Sequence, residues 1–262
     1  MLCAENLKVC YEDNMVLEGF TLSVHPGEIL TIIGTNGSGK STALRTMARL
    51  HPHKEGMVYL DGVEMKAMKS RAIARTLSFV SQDHIIPPDM TVEELVERGR
   101  TPHHSLFTGL SGKDRQIVNE ALAETQLTAL KDRSIYALSG GERQRAFIAM
   151  ALAQHPSILF LDEPTTYLDI SFQYELLETI KKLNSERKLT IVMVLHDINQ
   201  AARYSDRIAV LKNGRMQALG TPWEIVTEEQ IRTVYGMQVR ILCEEFTGRP
   251  YLIPLGIAKE AN

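Results

Sequence analysis

Hydrophobic and polar positions change their rhythm several times along this chain. Around the polar turn Glu12-Asp13-Asn14, the segments Leu7–Tyr11 and Val16–Val24 alternate apolar with polar residues, which predicts two paired strands. Glu28 to Ile33 is largely apolar and reads as a buried strand. A glycine-rich segment follows, then a helical pattern from Lys40 to Leu50 that stops at His51-Pro52. Val58–Leu60 and Leu77–Val80 read as further strands. From about residue 85 to 156 strand signals vanish. There Ser111 with Asp114 makes a capping box ahead of an apolar helical face at Ile117, Val118, Ala121 and Leu122. A second helix is predicted over Gly141–Gln154, apolar on most sides in its latter half and therefore buried.

After Pro156 strand and helix alternate again. The pattern predicts a strand at Ile158–Leu161 and a helix at Ile170–Asn184 with Phe172, Leu176, Ile180 and Leu183 inward. A strand at Leu189–Leu195 and a short helix from Asp197 come next. Ile208–Lys212 and Arg215–Leu219 flank Asn213-Gly214, the strongest short hairpin signal. The tail carries one predicted helix, Glu224–Tyr235, before an end with no clear pattern. The expected architecture is one α/β body, 1–84 and 157–222, interrupted by an all-helical insert, 85–156, and followed by an extension, 223–262.

Composition narrows the class. With 44% hydrophobic and 23% charged residues the chain is ordinary globular protein. A net charge of -3 gives no general attraction to nucleic acid or to an anionic membrane, so no nucleic-acid partner is expected. Cys3, Cys10 and Cys243 cannot all pair and none sits in a C-x-x-C arrangement, so they read as small buried hydrophobes in a reducing compartment. No basic segment followed by an apolar one opens the chain, so no secretory leader is expected. The longest apolar run, Ala146–Ala153, has eight residues. A spanning helix needs about 20, so a membrane role is expected to come through a partner.

The chemistry concentrates in a few segments. Gly34-Thr35-Asn36-Gly37-Ser38-Gly39-Lys40-Ser41 matches the Walker A pattern and sits between a predicted strand and helix. Its glycines let the backbone curl so that N–H groups face one anion, and the helix end adds its dipole. Lys40 supplies charge for the β- and γ-phosphates, Ser41 a hydroxyl for Mg2+, and Thr42 a contact to the α-phosphate. Ile158-Leu159-Phe160-Leu161-Asp162-Glu163 is a buried strand ending in two carboxylates, a Walker B pattern. Asp162 is expected to hold Mg2+ through water, and Glu163 to orient or deprotonate the attacking water. His196 ends another buried strand and can donate to the γ-phosphate. Gln82, directly after a strand, reads either as a residue reaching Mg2+ or the water, or as an ordinary strand end. Leu138-Ser139-Gly140-Gly141-Glu142-Arg143-Gln144-Arg145, just before a helix, is a second anion site in a chain that already has one. Leu110-Ser111-Gly112-Lys113 begins alike but lacks the second glycine and reads as a helix cap.

These motifs, in this order, resemble the ATP-binding-cassette (ABC) ATPases, and the likeness covers nearly the whole chain. The resemblance implies a P-loop NTPase fold with a RecA-like core, an antiparallel β subdomain and an all-helical insert. It makes Tyr11 the aromatic that stacks on adenine, Gln82 the Q-loop residue that reaches Mg2+, and Asp169 in Tyr167-Leu168-Asp169 the D-loop residue. His196 becomes the switch histidine. Leu138, Ser139, Gly140, Gly141, Glu142 and Gln144 form the signature that closes on the ATP of an opposing copy. Thr35 departs from the proline common there. The implied cycle is a head-to-tail homodimer closed by two Mg-ATP and opened by hydrolysis.

Thr91–Arg100, Leu110–Arg115, Thr165–Ile170, Gly220-Thr221-Pro222 and Thr247–Pro250 are similar to cassettes of the iron–siderophore, haem and cobalamin importers. That likeness implies a pair of ATPases on the cytoplasmic face of the cell membrane. A permease dimer would dock near Gln82–Asp89 and Pro102–Phe107, and an external binding protein would deliver substrate. His103 and His104 read as loop or partner-contact residues rather than metal ligands, because no further ligands cluster with them. Two rivals stand beside this reading. One is a soluble cassette such as an iron–sulfur assembly or DNA-repair ATPase. The other is a non-hydrolysing regulator, which should have lost Glu163 or His196.

Overall fold

The computed structural model describes residues 1–12, 14–82, 89–104 and 109–258. Strands β1 (Leu2–Tyr11) and β2 (Asn14–Val24) form the expected antiparallel pair, longer than the alternation alone marks. β3 (Ile29–Gly34) is buried at every position and feeds the glycine loop. Helix α1 (Lys40–Met47) starts at the expected residue but stops three short of Leu50. Arg49 takes a left-handed φ of 58°, and Leu50 and Arg49 donate their amides to Arg45 O and Thr46 O at 2.8 and 2.9 Å. That is a Schellman closure with arginine in the place glycine usually takes. Arg49 is tied down by a 2.6 Å bond from its guanidinium to Met65 O. β4 (Glu55–Leu60) and the short β5 (Val63–Glu64) complete a four-stranded sheet in the order β2-β1-β4-β5.

Helix α2 (Ser70–Thr76) carries one buried residue, Ile73, and runs into β6 (Leu77–Val80). In the helical stretch lie α3 (Val92–Arg98), α4 (Gly112–Glu124) and α5 (Gly140–Ala153). All three begin in complete capping boxes, led by Thr91, Ser111 and Ser139. Val118, Ala121 and Leu122 of α4 are buried as the periodicity predicts, and α5 buries Ala146–Ala149 and Ala151–Ala153. β7 (Ile158–Asp162), α6 (Ile170–Arg187) and β8 (Thr190–Val194) follow. Both strands are buried throughout, as strands covered on two faces are. α6 turns Leu176, Leu177, Ile180 and Leu183 inward, with Phe172 half-buried.

α7 (Ile198–Tyr204) is capped by Asp197, and β9 (Arg207–Lys212) with β10 (Arg215–Gly220) makes the expected hairpin. The tail departs from the single predicted helix. It forms α8 (Pro222–Ile225) and α9 (Glu228–Tyr235), because the Thr227 side chain caps a new helix start. A second hairpin follows, β11 (Met237–Cys243) with β12 (Pro250–Ile257), and Cys243 at its rim is exposed rather than buried, with Cys3 and Cys10 of β1 half-buried. Asn199 of α7 fixes it, accepting from Leu252 N at 2.7 Å and donating to Leu252 O at 3.0 Å.

The chain divides into two compact units, Met1–Lys66 with Val192–Asn262, and Ala67–Ile191, the division falling within β8. In the first unit β10, β9, β3 and β8 are neighbours in that order, β9 and β3 parallel with Leu30 opposite Arg207. In the second, β6 and β7 are parallel with Leu77 opposite Ile158.

Candidate functional site

The first unit holds the glycine loop. Gly34, Gly37 and Gly39 all have positive φ, at 152°, 75° and 97°. A Cβ on Gly34 would lie 2.1 Å from Leu211 O, so the loop can leave β3 only through glycine. Gly37 faces open space, with nothing within 4 Å of an added Cβ. Ser38 closes the turn with its amide on Thr35 O at 3.2 Å and is pinned from β10's side by Gly214 N on Ser38 O at 3.1 Å. Lys40 is buried, and its Nζ lies over the loop, donating to Gly34 O at 3.1 Å and Thr35 O at 3.0 Å. The Ser38 hydroxyl is buried with no hydrogen-bond partner among the described residues. A concave backbone under a buried ammonium and an unsatisfied hydroxyl fits an incoming phosphate chain. Thr42 is buried and Ser41 half-buried in the first turn of α1, while Asn36 is exposed at the loop tip.

Tyr11, at the end of β1, is half-exposed and in ring contact with His51. His196 is exposed just past β8, where Leu195 N is bonded to Ile32 O of β3 at 3.3 Å. The motif reading did not single out Tyr235 of α9. Burial pushes its phenol's pKa up, and the Gly34 backbone pulls it back. Nothing in the local sequence marks that contact.

The second unit holds the paired carboxylates. Asp162 is buried at the end of β7, and Glu163 has a left-handed φ of 52° that turns its side chain away from the strand. Gln82 Nε2 donates to Glu163 Oε2 at 2.7 Å, and Thr166 Oγ1 donates to the same oxygen at 3.3 Å. The structure therefore joins Gln82 to Glu163 and adds Thr166, a residue of the Thr165–Ile170 stretch to which the sequence pattern assigns no role at the carboxylate. Among the described residues no group of three or more His, Cys, Asp or Glu could hold a metal. Within this unit the side chains of Gln82 and Asp162 each offer an oxygen, the ligand type Mg2+ takes alongside phosphate and water.

Ser139 is the N-cap of α5. Its Oγ accepts from Glu142 N at 3.3 Å and donates to Glu142 Oε2 at 2.8 Å, while Ser139 N donates to the same oxygen at 2.8 Å. The Ser139 main chain, then its hydroxyl, hold the Glu142 carboxyl below its usual range. Ser139 and Gly140 are exposed. Gly141 is buried, and a Cβ there would meet the Phe172 ring at 3.0 Å. The second glycine thus answers a packing demand as well as leaving the helix end bare. Leu138 is buried and Gln144 half-buried. Asp169 caps α6 by position and is exposed, beside Tyr167 and Ile170 at 89% and 74% exposure. The segments named for permease docking lie largely outside the described residues.

His103 bonds to Gln154 O at 2.8 Å, while His104 sits 3.4 Å from Asp114. Asp114 also accepts from Arg100 Nε at 2.9 Å and pairs with the Ser111 hydroxyl. His104 thus stands against the buried Arg100–Asp114 pair, and His103, half-buried, is held by a main-chain oxygen.

A glycine cradle between strand and helix, with a strand-end Asp-Glu pair in the same chain whose Asp162 is buried, defines a P-loop nucleoside triphosphatase. The family model described as ABC transporter matches residues 17–166. The ferric enterobactin transport ATP-binding protein FepC of Escherichia coli (strain K12) is 45% identical over 255 residues, covering 97% of this chain and 94% of that protein. The petrobactin import ATP-binding protein FpuC of Bacillus anthracis is 44% identical, covering 100% and 96%. Among solved structures, a metal-chelate type ABC transporter in an inward-facing conformation matches with a TM-score of 0.84 at 26% identity, covering 97% of this chain and 96% of that one. A dimeric bacterial ABC transporter cassette matches with a TM-score of 0.75 at 32% identity, covering 84% and 98%. The chain belongs to the ABC transporter family. It is an ATP-binding, ATP-hydrolysing cassette of that family, with the expected P-loop fold.

Proposed function

We propose that this chain is the motor subunit of an importer for ferric siderophores, working as a homodimer beneath a permease dimer on the cytoplasmic face of the cell membrane. The observation that carries this reading is similarity along the full chain to ATPases named for enterobactin and petrobactin transport. Haem and cobalamin remain the neighbouring substrate classes. No helix among the described residues is long and apolar enough to cross a membrane, which agrees with a separate permease. No observation favours the iron–sulfur assembly alternative. The division into core, helical insert 85–156 and extension 223–262 belongs to the same proposal.

In this reading Lys40 and the loop amides hold the phosphates, and Tyr11 stacks on the base. Ser41, Gln82 and Asp162 would hold Mg2+, which offsets phosphate charge when bound. Glu163 accepts the proton of the attacking water, and His196 steadies the γ-phosphate. Gln82 and Thr166 both donate to the Glu163 carboxylate and orient it. Leu138 to Gln144 would close on the ATP of the opposing copy, with Asp169, Tyr167 and Ile170 in the interface. The exposed apolar side chains at the last two positions support that placement.

Uptake of labelled iron as a siderophore complex tests the proposal. Cells carrying only a Glu163→Gln chain should lose that uptake and keep cobalamin uptake. Unchanged siderophore uptake would refute it, and loss of cobalamin uptake alone would move the substrate to the other class.

A further inference from the structure

We propose that His51 is a positioning residue for nucleotide: its imidazole backs the Tyr11 ring and holds it ready to take a purine on its opposite face. This deepens the reading of Tyr11 as the adenine contact and rests on it. The two ring centroids are 4.4 Å apart with planes inclined by 34°. Tyr11 is the last residue of β1, paired with Asn14 across the turn, and 44% exposed. An unsupported tyrosine at such a hairpin rim would sample several rotamers, and a bound base would then have to order it.

The chain puts His51 in that place by main-chain means. The Schellman closure of α1 reverses the backbone at Arg49, and the His51 amide reaches back to Arg45 O at 3.3 Å. Pro52 follows and limits the backbone of His51. The ring's Nε2 is buried with no hydrogen-bond partner among the described residues, so no bond through that atom locates the imidazole. The ring contact with Tyr11 and the backbone bond to Arg45 O are the constraints described for it. α1 carries Lys40 at its other end, about 12 Å away by helix rise. One short rigid helix therefore fixes both the phosphate contacts and the backing of the base contact.

The test is nucleotide affinity, measured by displacement of a fluorescent ATP analogue from wild type, His51→Ala, His51→Phe, Tyr11→Ala and the double alanine variant. The competitors are ATP and inorganic tripolyphosphate, which lacks a base. His51→Ala should weaken ATP by about two- to ten-fold, the range of one aromatic pair, and leave tripolyphosphate unchanged. His51→Phe should restore ATP binding, and His51→Ala should add nothing in the Tyr11→Ala background. Equal weakening of ATP and tripolyphosphate would overturn the proposal, because His51 would then be general packing. So would an unaffected His51→Ala beside a weakened Tyr11→Ala. If Tyr11→Ala itself binds ATP normally, the adenine reading of Tyr11 falls, and the role of His51 with it.

Discussion

Gln82 Nε2 donates to Glu163 Oε2 at 2.7 Å, and both residues stand just beyond the ends of paired parallel strands, β6 and β7. The pairing brings residues 81 positions apart in sequence into one hydrogen bond. Thr166 adds a second donor to the same oxygen. Glu163→Gln keeps the shape of this arrangement and removes the proton acceptor. ATP affinity should stay within about two-fold of wild type, while phosphate release falls by roughly 10²–10⁴. A binding titration beside a phosphate-release assay checks both halves.

Lys40 is the buried cation over the loop. Lys40→Ala removes a charge-assisted contact of about 1.5–3 kcal/mol, so ATP affinity should fall by roughly 10- to 100-fold. The folded protein should persist, because the Nζ bonds described go to main-chain carbonyls of its own loop, Gly34 O and Thr35 O. Circular dichroism with a nucleotide titration separates the two effects.

The loop glycines are not equivalent. Gly34→Ala would drive a methyl group to 2.1 Å from a backbone oxygen that cannot move aside, and should cost about 3 kcal/mol. Gly37→Ala meets no atom within 4 Å and should cost only the conformational penalty of positive φ, about 1 kcal/mol. Thermal melts should place the first variant several degrees below the second.

Arg100 and Asp114 form a buried pair, with 6% and 9% side-chain exposure. The Ser111 hydroxyl first, then Arg100, hold the Asp114 carboxyl at about 2, against 3.8 for a free side chain. The folded value lies below the unfolded one. Its contribution is therefore complete above about pH 4 and is lost as pH falls toward 2. Arg100→Met leaves the carboxylate buried without its main cation and should destabilise the chain by about 3 kcal/mol near neutral pH. The gap to wild type should narrow in melts below pH 4.

Most of what is chemically important here was legible because it is local. The Walker A glycines, the Asp162-Glu163 strand end and the Asn213-Gly214 turn each declare themselves within eight residues, and Leu77–Val80 was placed to the residue. What escaped depends on distant partners or mixed signals. α2 has a single buried side chain, so it shows no periodicity. In β12, Pro250, Pro254 and Gly256 mask the alternation of a strand whose partner is β11. Thr227 looks like one more polar position in a helix until its side chain is seen to cap Gln230 N. The Tyr11–His51 stack, the Gly141–Phe172 packing and the Thr166 bond to Glu163 join residues whose pairing no local pattern announces.

The central claim is that ATP becomes the glue between two copies of this chain. Sedimentation of Glu163→Gln with and without Mg-ATP tests it most directly. The account predicts monomers without nucleotide, dimers with Mg-ATP, and loss of those dimers on Ser139→Arg. A chain that stays monomeric at saturating ATP, or dimerises equally well with a blocked signature, would contradict it.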